Sequence, residues 1–100
     1  QQRINKQPLS PLYLADKTTL INIMEMVSGL FLSKNIVYQN GKPAYLVDLA
    51  KAFEWLFNIK IGDCYQKHED VIKRKPGKLT GFLNGLVELI KKEHDKKGYR

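Results

Sequence analysis

The chain has 100 residues, of which 43% are hydrophobic and 27% are charged. This length supports one small domain rather than two independent cores, and the composition excludes intrinsic disorder. The longest mainly apolar run, residues 20–32, is interrupted by polar side chains and is too short to span a bilayer, so we expect no membrane partner. Because the chain begins at Gln1 and contains no signal-peptide pattern, we expect one domain of a longer protein.

The charge balance is strongly basic. Lysine and arginine number 17 against 10 aspartates and glutamates, which leaves a net charge of +7. Such an excess raises the expectation of a nucleic-acid partner, although it also keeps many small domains in solution. The single Cys64 cannot form an internal disulfide, which favours a reducing, cytoplasmic setting.

The two ends of the chain differ from its middle. Residues 1–15 contain two prolines and little periodicity, and we predict an entering arm or linker. The domain itself is predicted to cover residues 16–95, with Asp16 as the N-cap of a first helix that reaches about Leu32. Residues 96–100 end the charged stretch that begins at Lys91, and we expect this tail to fray.

A turn pattern follows the first helix. Residues 36–38 are β-prone, and Asn40 and Gly41 tolerate the positive φ angles of a tight turn. Pro43 restricts any following strand to an edge. The pattern predicts a minor β-hairpin that precedes the next helices in the chain, which is not the usual position of a wing.

Apolar side chains at helical spacing predict three more helices, over residues 46–57, 62–75 and from about Thr80 to Ile90, with Asp63 at the start of the second of these. The predicted fold is therefore all-α, with four helices and the minor hairpin. The predicted core consists of Leu20, Ile23, Met24, Val27, Phe31, Leu49, Phe53, Leu56, Phe82, Leu83, Leu86 and Ile90.

No pattern of catalytic or metal-binding residues is present in the sequence. The chain has no phosphate-binding loop, no nucleophile elbow and no zinc-protease motif. Its two histidines, His68 and His94, lie far apart and have one cysteine beside them, which matches no zinc site. We therefore expect no enzyme, no metal and no cofactor, with His68 and Cys64 as packing residues and His94 in solvent.

A basic cluster provides the clearest functional hint. Residues 67–78 carry five positive and two negative charges, which leaves this segment at +3. Lysines and arginines on a helix and the adjoining turn are suited to DNA phosphates, but a salt-bridged helix facing solvent has the same pattern. Helices 46–57 and 62–75, joined by four residues, could form a helix-turn-helix, a motif that any helical bundle can mimic.

Several short motifs together resemble the C-terminal region of the RteC family, over about residues 18–90. The matching residues are Lys17, Thr18, Leu20, Ile21, Asn40, Gly41, Asp48, Leu49, Ala50, Phe53, Glu54, Leu56, Phe57, Asn58, Ile59, Gly62, Asp63, Tyr65, Arg74, Lys75, Thr80, Phe82 and Leu83. The chain departs from the family pattern at Trp55, Cys64 and the Pro76-Gly77 dipeptide.

This resemblance implies a winged-helix-like, DNA-binding transcriptional regulator that controls excision and mobilisation of a tetracycline-inducible conjugative element. It also implies a longer N-terminal region that is missing here. With helix 62–75 as the DNA-reading helix, Tyr65 would position it from its inner face. The residues expected at duplex DNA are Gln66, Lys67 and Asp70 near base edges, and Lys73, Arg74, Lys75 and Lys78 at phosphates. The alternative is a protein–protein interaction module or homodimer that makes no DNA contact and binds through Trp55.

Overall fold

The structure is a computed structural model that describes residues 10–99. In this part of the chain it contains five helices, which are α1 Leu20–Ser33, α2 Leu46–Phe57, α3 Cys64–Ile72, α4 Pro76–Leu79 and α5 Gly81–Lys96. Helix α1 packs against α2, α3 and α5, and α2 also packs against α3. The predicted all-α class is therefore confirmed, and the helix with the broadest apolar face lies at the centre.

The start of α1 differs from the prediction. Its N-cap is Thr19, whose Oγ1 accepts a hydrogen bond from the Asn22 N–H at 3.4 Å. Asp16 is not the cap, because it lies in a turn that the Thr18 N–H closes on the Ala15 carbonyl at 2.9 Å. The cap must directly precede the first helical residue, so a side chain four positions earlier cannot reach the free N–H groups.

The prediction of Asp63 at the start of α3 is confirmed, since its Oδ1 accepts from the Tyr65 and Gln66 N–H groups at 3.1 Å each. The helix is shorter than predicted and ends at Ile72. Pro76 then occupies the first turn of the short α4, where a missing N–H costs nothing. Pro76 therefore begins a fifth helix, which the four-helix prediction did not contain.

Helix α5 extends beyond the predicted end. It continues to Lys96, so residues 91–96 are helical. The Lys97 N–H donates to the Glu93 carbonyl at 3.1 Å, and the Lys97 Nζ lies 3.8 Å from the Glu93 carboxylate. Lysine and glutamate are good helix formers, so they favour this exposed end of the helix without apolar burial.

The predicted β-hairpin is not formed. The described residues 10–99 contain no β-strand, and the turn has only one isolated antiparallel bridge, between Val37 and Pro43. Two backbone hydrogen bonds flank this bridge, from the Tyr38 N–H to the Lys42 carbonyl at 2.9 Å and from the Ala44 N–H to the Ile36 carbonyl at 2.8 Å. The Tyr38 hydroxyl also holds the loop, because it donates to the Asp48 carboxylate and accepts from the Tyr45 N–H. The bond to Asp48 raises the pKa of Tyr38.

The core lies where α1, α2 and α3 meet. Its buried hydrophobic residues are Ile23, Met24, Val27, Leu46, Leu49, Ala50, Ile61, Cys64 and Val71. Four of these were predicted, and most other predicted members are half-buried around them. Ile90 was predicted wrongly, because it is 71% exposed. The apolar stripe of α5 is half-buried at Phe82, Leu83 and Leu86, but beyond this point nothing in the described chain covers it.

The connector between α2 and α3 contributes a core residue that periodicity did not predict. Ile61 is almost fully buried although it lies outside any helix. Its N–H donates to the Glu54 carboxylate at 2.7 Å, and its carbonyl accepts from the Lys67 Nζ at 2.8 Å. Two charged side chains therefore hydrogen-bond the backbone N–H and carbonyl of this buried residue.

Part of the predicted arm is fixed to the domain. Ser10 is buried, and its hydroxyl donates to the Leu56 carbonyl at the end of α2. The Asn58 side chain donates to the carbonyls of Ser10 and Leu12, at 2.7 and 3.0 Å. These bonds attach residues 10–12 to the end of α2, whereas the rest of the predicted arm, residues 1–9, lies outside the described residues.

Candidate nucleic-acid interface

The side of helix α3 that faces the core differs from the prediction. Its inward side chains are Cys64, His68 and Val71, and Tyr65 is 62% exposed. The helix begins with Cys64 against the core, so positions four and seven residues later follow it inward. Tyr65 therefore cannot position the helix from its inner face, and it contributes instead to the outer surface that a ligand would meet.

The half-buried His68 is a packing residue, as the sequence analysis expected. Its Nδ1 lies 2.7 Å from the hydroxyl oxygen of Ser28, a buried residue of α1. The rings of His68 and Phe31 form a T-shaped pair, with the two ring centroids 5.7 Å apart. The hydrogen bond provides a partner for the buried Ser28 hydroxyl, and the two contacts join α3 to α1.

On the outer side of α3, the Gln66 Nε2 donates to the Asp70 Oδ1 at 3.0 Å. The Lys73 Nζ lies 3.6 Å from the same carboxylate oxygen, and its side chain is largely exposed. Exposed pairs of this kind contribute little to stability, so an anion that binds these side chains more tightly can replace the Asp70 carboxylate as their partner.

Two members of the predicted DNA-contacting set have structural roles in the fold. The Lys67 Nζ is held by the Ile61 carbonyl, and the Arg74 Nη1 donates to the Glu25 Oε1 at 2.9 Å. The Arg74 side chain is only 23% exposed, and the Glu25 side chain is 1% exposed. The basic cluster therefore divides into these two residues and three exposed lysines, Lys73, Lys75 and Lys78.

Glu25 is the residue that sequence reasoning missed. Besides binding Arg74, its carboxylate accepts the N–H groups of Phe82 at 3.3 Å and Leu83 at 3.0 Å. Thr80, at the N-cap position of α5, makes no side-chain capping bond, so a carboxylate of α1 replaces it. The available signal was an acidic residue among the apolar positions of the most hydrophobic helix, since a buried charge needs a partner.

An apolar groove is lined in part by Ile72 and Leu79, which flank the exposed lysines in the chain. Its volume is about 250 Å³, and it opens between α1, the end of α3, α4 and the start of α5. Its lining residues are Glu25, Ser28, Gly29, Leu32, Val71, Ile72, Leu79, Thr80 and Leu83. Because Glu25 and Ser28 are already hydrogen-bonded, hydrocarbon dominates the surface that the groove offers.

Trp55 lies on the other candidate surface. It is 49% exposed on α2 and lies about half a helical turn from the buried Leu46, as the helical period predicts.

Within residues 10–99, no helix is long and apolar enough to cross a membrane, and no group of three or more potential metal ligands occurs.

The thiol of Cys64 is buried, and burial raises its pKa, with the negative charges of Asp63 and Glu54 adding to the effect. We expect a thiol reagent to label the folded chain about tenfold or more slowly than the urea-unfolded chain at the same pH. The ordinary pKa of this thiol is 9.0, so above this pH the thiol ionises in the unfolded chain while it is still protonated in the folded chain. The folded state should therefore lose stability as pH rises above 9.0. Equal labelling rates would show an accessible thiol.

Comparison with known proteins identifies the family. One curated protein with a similar segment is Exportin-T of Chaetomium globosum, 33% identical over 93 residues. That alignment covers 87% of the chain but 9% of the exportin, so the chain spans less than a tenth of its length. No solved structure matches the chain. The model of the RteC protein family matches residues 4–97, and the chain therefore belongs to the RteC family.

Proposed function

We propose that this domain binds duplex DNA as part of a cytoplasmic transcriptional regulator of a mobile conjugative element, and that it acts by binding and not by catalysis. Three exposed lysines beside the α2–α3 helix pair carry the proposal. Lys73, Lys75 and Lys78 extend from the end of α3 through α4, and no acidic residue occurs between Asp70 and Glu88. Family membership supports the same role, because the RteC resemblance implies such a regulator.

The lysines define how the domain would meet DNA. Lys73, Lys75 and Lys78 would bind phosphates, which supplies most of the affinity and orients the protein on the duplex. The exposed outer side of α3, with Tyr65 and Gln66, would then approach base edges as the second helix of a helix-turn-helix does. Arg74 and Lys67 leave the proposed contact set because Glu25 and the Ile61 carbonyl hold their charged groups.

The salt dependence of DNA binding tests this proposal. The variant replaces Lys73, Lys75 and Lys78 with glutamine, and binding to a fluorescent duplex is followed by anisotropy over a series of salt concentrations. Each lost phosphate contact should flatten the slope of log K against log salt by about 0.9, so the triple variant should lose up to about 2.7. Arg74 stays unchanged in this experiment because its removal would also destabilise the fold.

The matched control replaces Lys91, Lys92 and Lys96 on α5, which removes the same charge from a distant part of the chain. We expect this control to retain most of the slope. If both variants weaken binding equally, the attraction is diffuse and the α3–α4 segment is not a DNA-binding surface. If the unchanged protein does not bind at low salt, even within the full-length regulator, DNA binding is excluded.

The half-exposed Trp55 supports the second candidate, a protein–protein interaction module. It is the only tryptophan, so its intrinsic fluorescence reports directly on this face of α2. A protein partner that covers it should shift the emission to shorter wavelength, and high salt should leave this binding largely intact. Steep loss of binding with salt, without a change in tryptophan emission, favours DNA instead.

A further inference from the structure

The apolar groove between α1, α3, α4 and α5 is a second surface that DNA binding does not use. Its 250 Å³ exceed the roughly 150 Å³ of an engineered apolar cavity that holds benzene, so one ring or two aliphatic side chains would fill it. Leu32 and Ile72 at its sides are 57% and 44% exposed. Hydrophobic side chains exposed around a concave apolar surface are typical of a site that a partner covers.

The groove walls define the part of a partner that can enter. Glu25 is bound by Arg74 and by the Phe82 and Leu83 N–H groups, and the Ser28 hydroxyl is bound by His68. A polar group placed here would lose its water and gain no obvious partner, which is unfavourable. The inserted group is therefore a leucine-like or phenylalanine-like side chain and not a nucleotide or sugar.

The charge around the groove defines the rest of the partner. Ile72 and Leu79, which line the groove, flank the segment that carries the exposed Lys73, Lys75 and Lys78. The nearest acidic residues in the sequence, Asp70 and Glu88, lie outside this segment. Exposed lysines that neighbour the groove-lining residues in the chain attract carboxylates and repel a basic surface, so they select for a negatively charged segment.

We infer that this groove binds an acidic protein segment that inserts one or two large apolar side chains between α1 and α4 and places carboxylates on Lys75 and Lys78. Binding of this kind combines a hydrophobic anchor with a polar rim, as in other grooves that recognise short peptides. It does not depend on DNA binding, although both ligands would use the same lysines and would compete for them.

The experiment uses a short synthetic peptide with two leucines among glutamates, titrated into isotope-labelled protein and followed by NMR. The methyl groups of Leu32, Ile72, Leu79 and Leu83 should shift together. The same peptide with alanine for both leucines should bind about tenfold or more weakly, because the anchor supplies most of the affinity. A peptide with the leucines retained among lysines should also lose binding.

Matched protein variants separate the two parts of the site. Ile72→Ser should weaken the peptide about tenfold, whereas Leu89→Ser, an equally polar change at another exposed apolar residue, should leave it nearly unchanged. Lys75→Glu with Lys78→Glu should weaken binding more than Lys91→Glu with Lys92→Glu. All six positions changed in these variants are exposed, so each variant can fold.

Three results would overturn the inference. The peptide could bind without shifting the groove methyl groups, the alanine peptide could bind as well as the leucine peptide, or octanoate could bind the groove as tightly as the peptide. If duplex DNA shifts the four methyl groups as strongly as the peptide does, the groove belongs to the DNA surface. Failure of DNA binding alone leaves these measurements unaffected, because they contain no DNA.

Discussion

Arg74→Met should lower the free energy of unfolding by about 3–5 kcal/mol, because it leaves the buried Glu25 carboxylate without its counter-charge. Methionine retains much of the length of the side chain, so lost packing contributes little to this change. The Phe82 and Leu83 N–H groups still bind the carboxylate but cannot neutralise its charge. Urea denaturation followed by circular dichroism measures the effect.

Two controls identify the origin of the loss. Replacing both Glu25 and Arg74 with methionine removes the uncompensated charge, so it should recover part of the stability. Recovery is incomplete because the start of α5 then loses its capping carboxylate, at about 1 kcal/mol. Lys97→Met breaks the exposed pair with Glu93 and should change stability by about 0.3–0.5 kcal/mol. Equal effects of Arg74→Met and Lys97→Met would show that the Glu25–Arg74 pair is not a buried interaction.

Met24→Ala should destabilise the protein by about 2–5 kcal/mol, since it opens a cavity where α1 meets the other helices. Met24 has no exposed surface, and its neighbours cannot collapse into the space without moving whole helices. Thermal and urea unfolding should both show the change. A denaturation midpoint equal to that of the unchanged protein would place Met24 outside the core.

Met26 provides a matched control, because it has the same side chain on the same helix but is only half-buried. Met26→Ala should therefore lower the free energy of unfolding clearly less than Met24→Ala.

Ile90→Ala tests a residue that helical periodicity alone predicted to lie in the core. As Ile90 is largely exposed, its truncation should change stability by about 0.5 kcal/mol or less.

The candidate site was only partly predictable, and the reason is the range of the interactions. All five basic residues of the cluster can be found in the sequence, but their charges cannot be assigned to solvent or to partners without the fold. A spacing of four residues along one helix favours pairs of Lys67 with Asp63 and of Arg74 with Asp70. The structure binds Lys67 to a loop carbonyl and Arg74 to Glu25, 49 residues away. No rule of local spacing relates positions so distant.

Local pattern alone was sufficient for α2 over residues 46–57, for Asp63 at the start of α3 and for the all-α class, because helical spacing and the charge preference of a helix start depend on neighbours a few residues apart. Long-range packing decided the rest. Only the first half of the apolar stripe on α5 is covered by other helices, and Ile61 is buried although it lies in a connector. The Glu25 carboxylate of α1 lies at the start of α5. Whether an apolar residue is buried, or a charged side chain lacks a protein partner, depends on which elements pack against it, and only the tertiary structure determines those contacts.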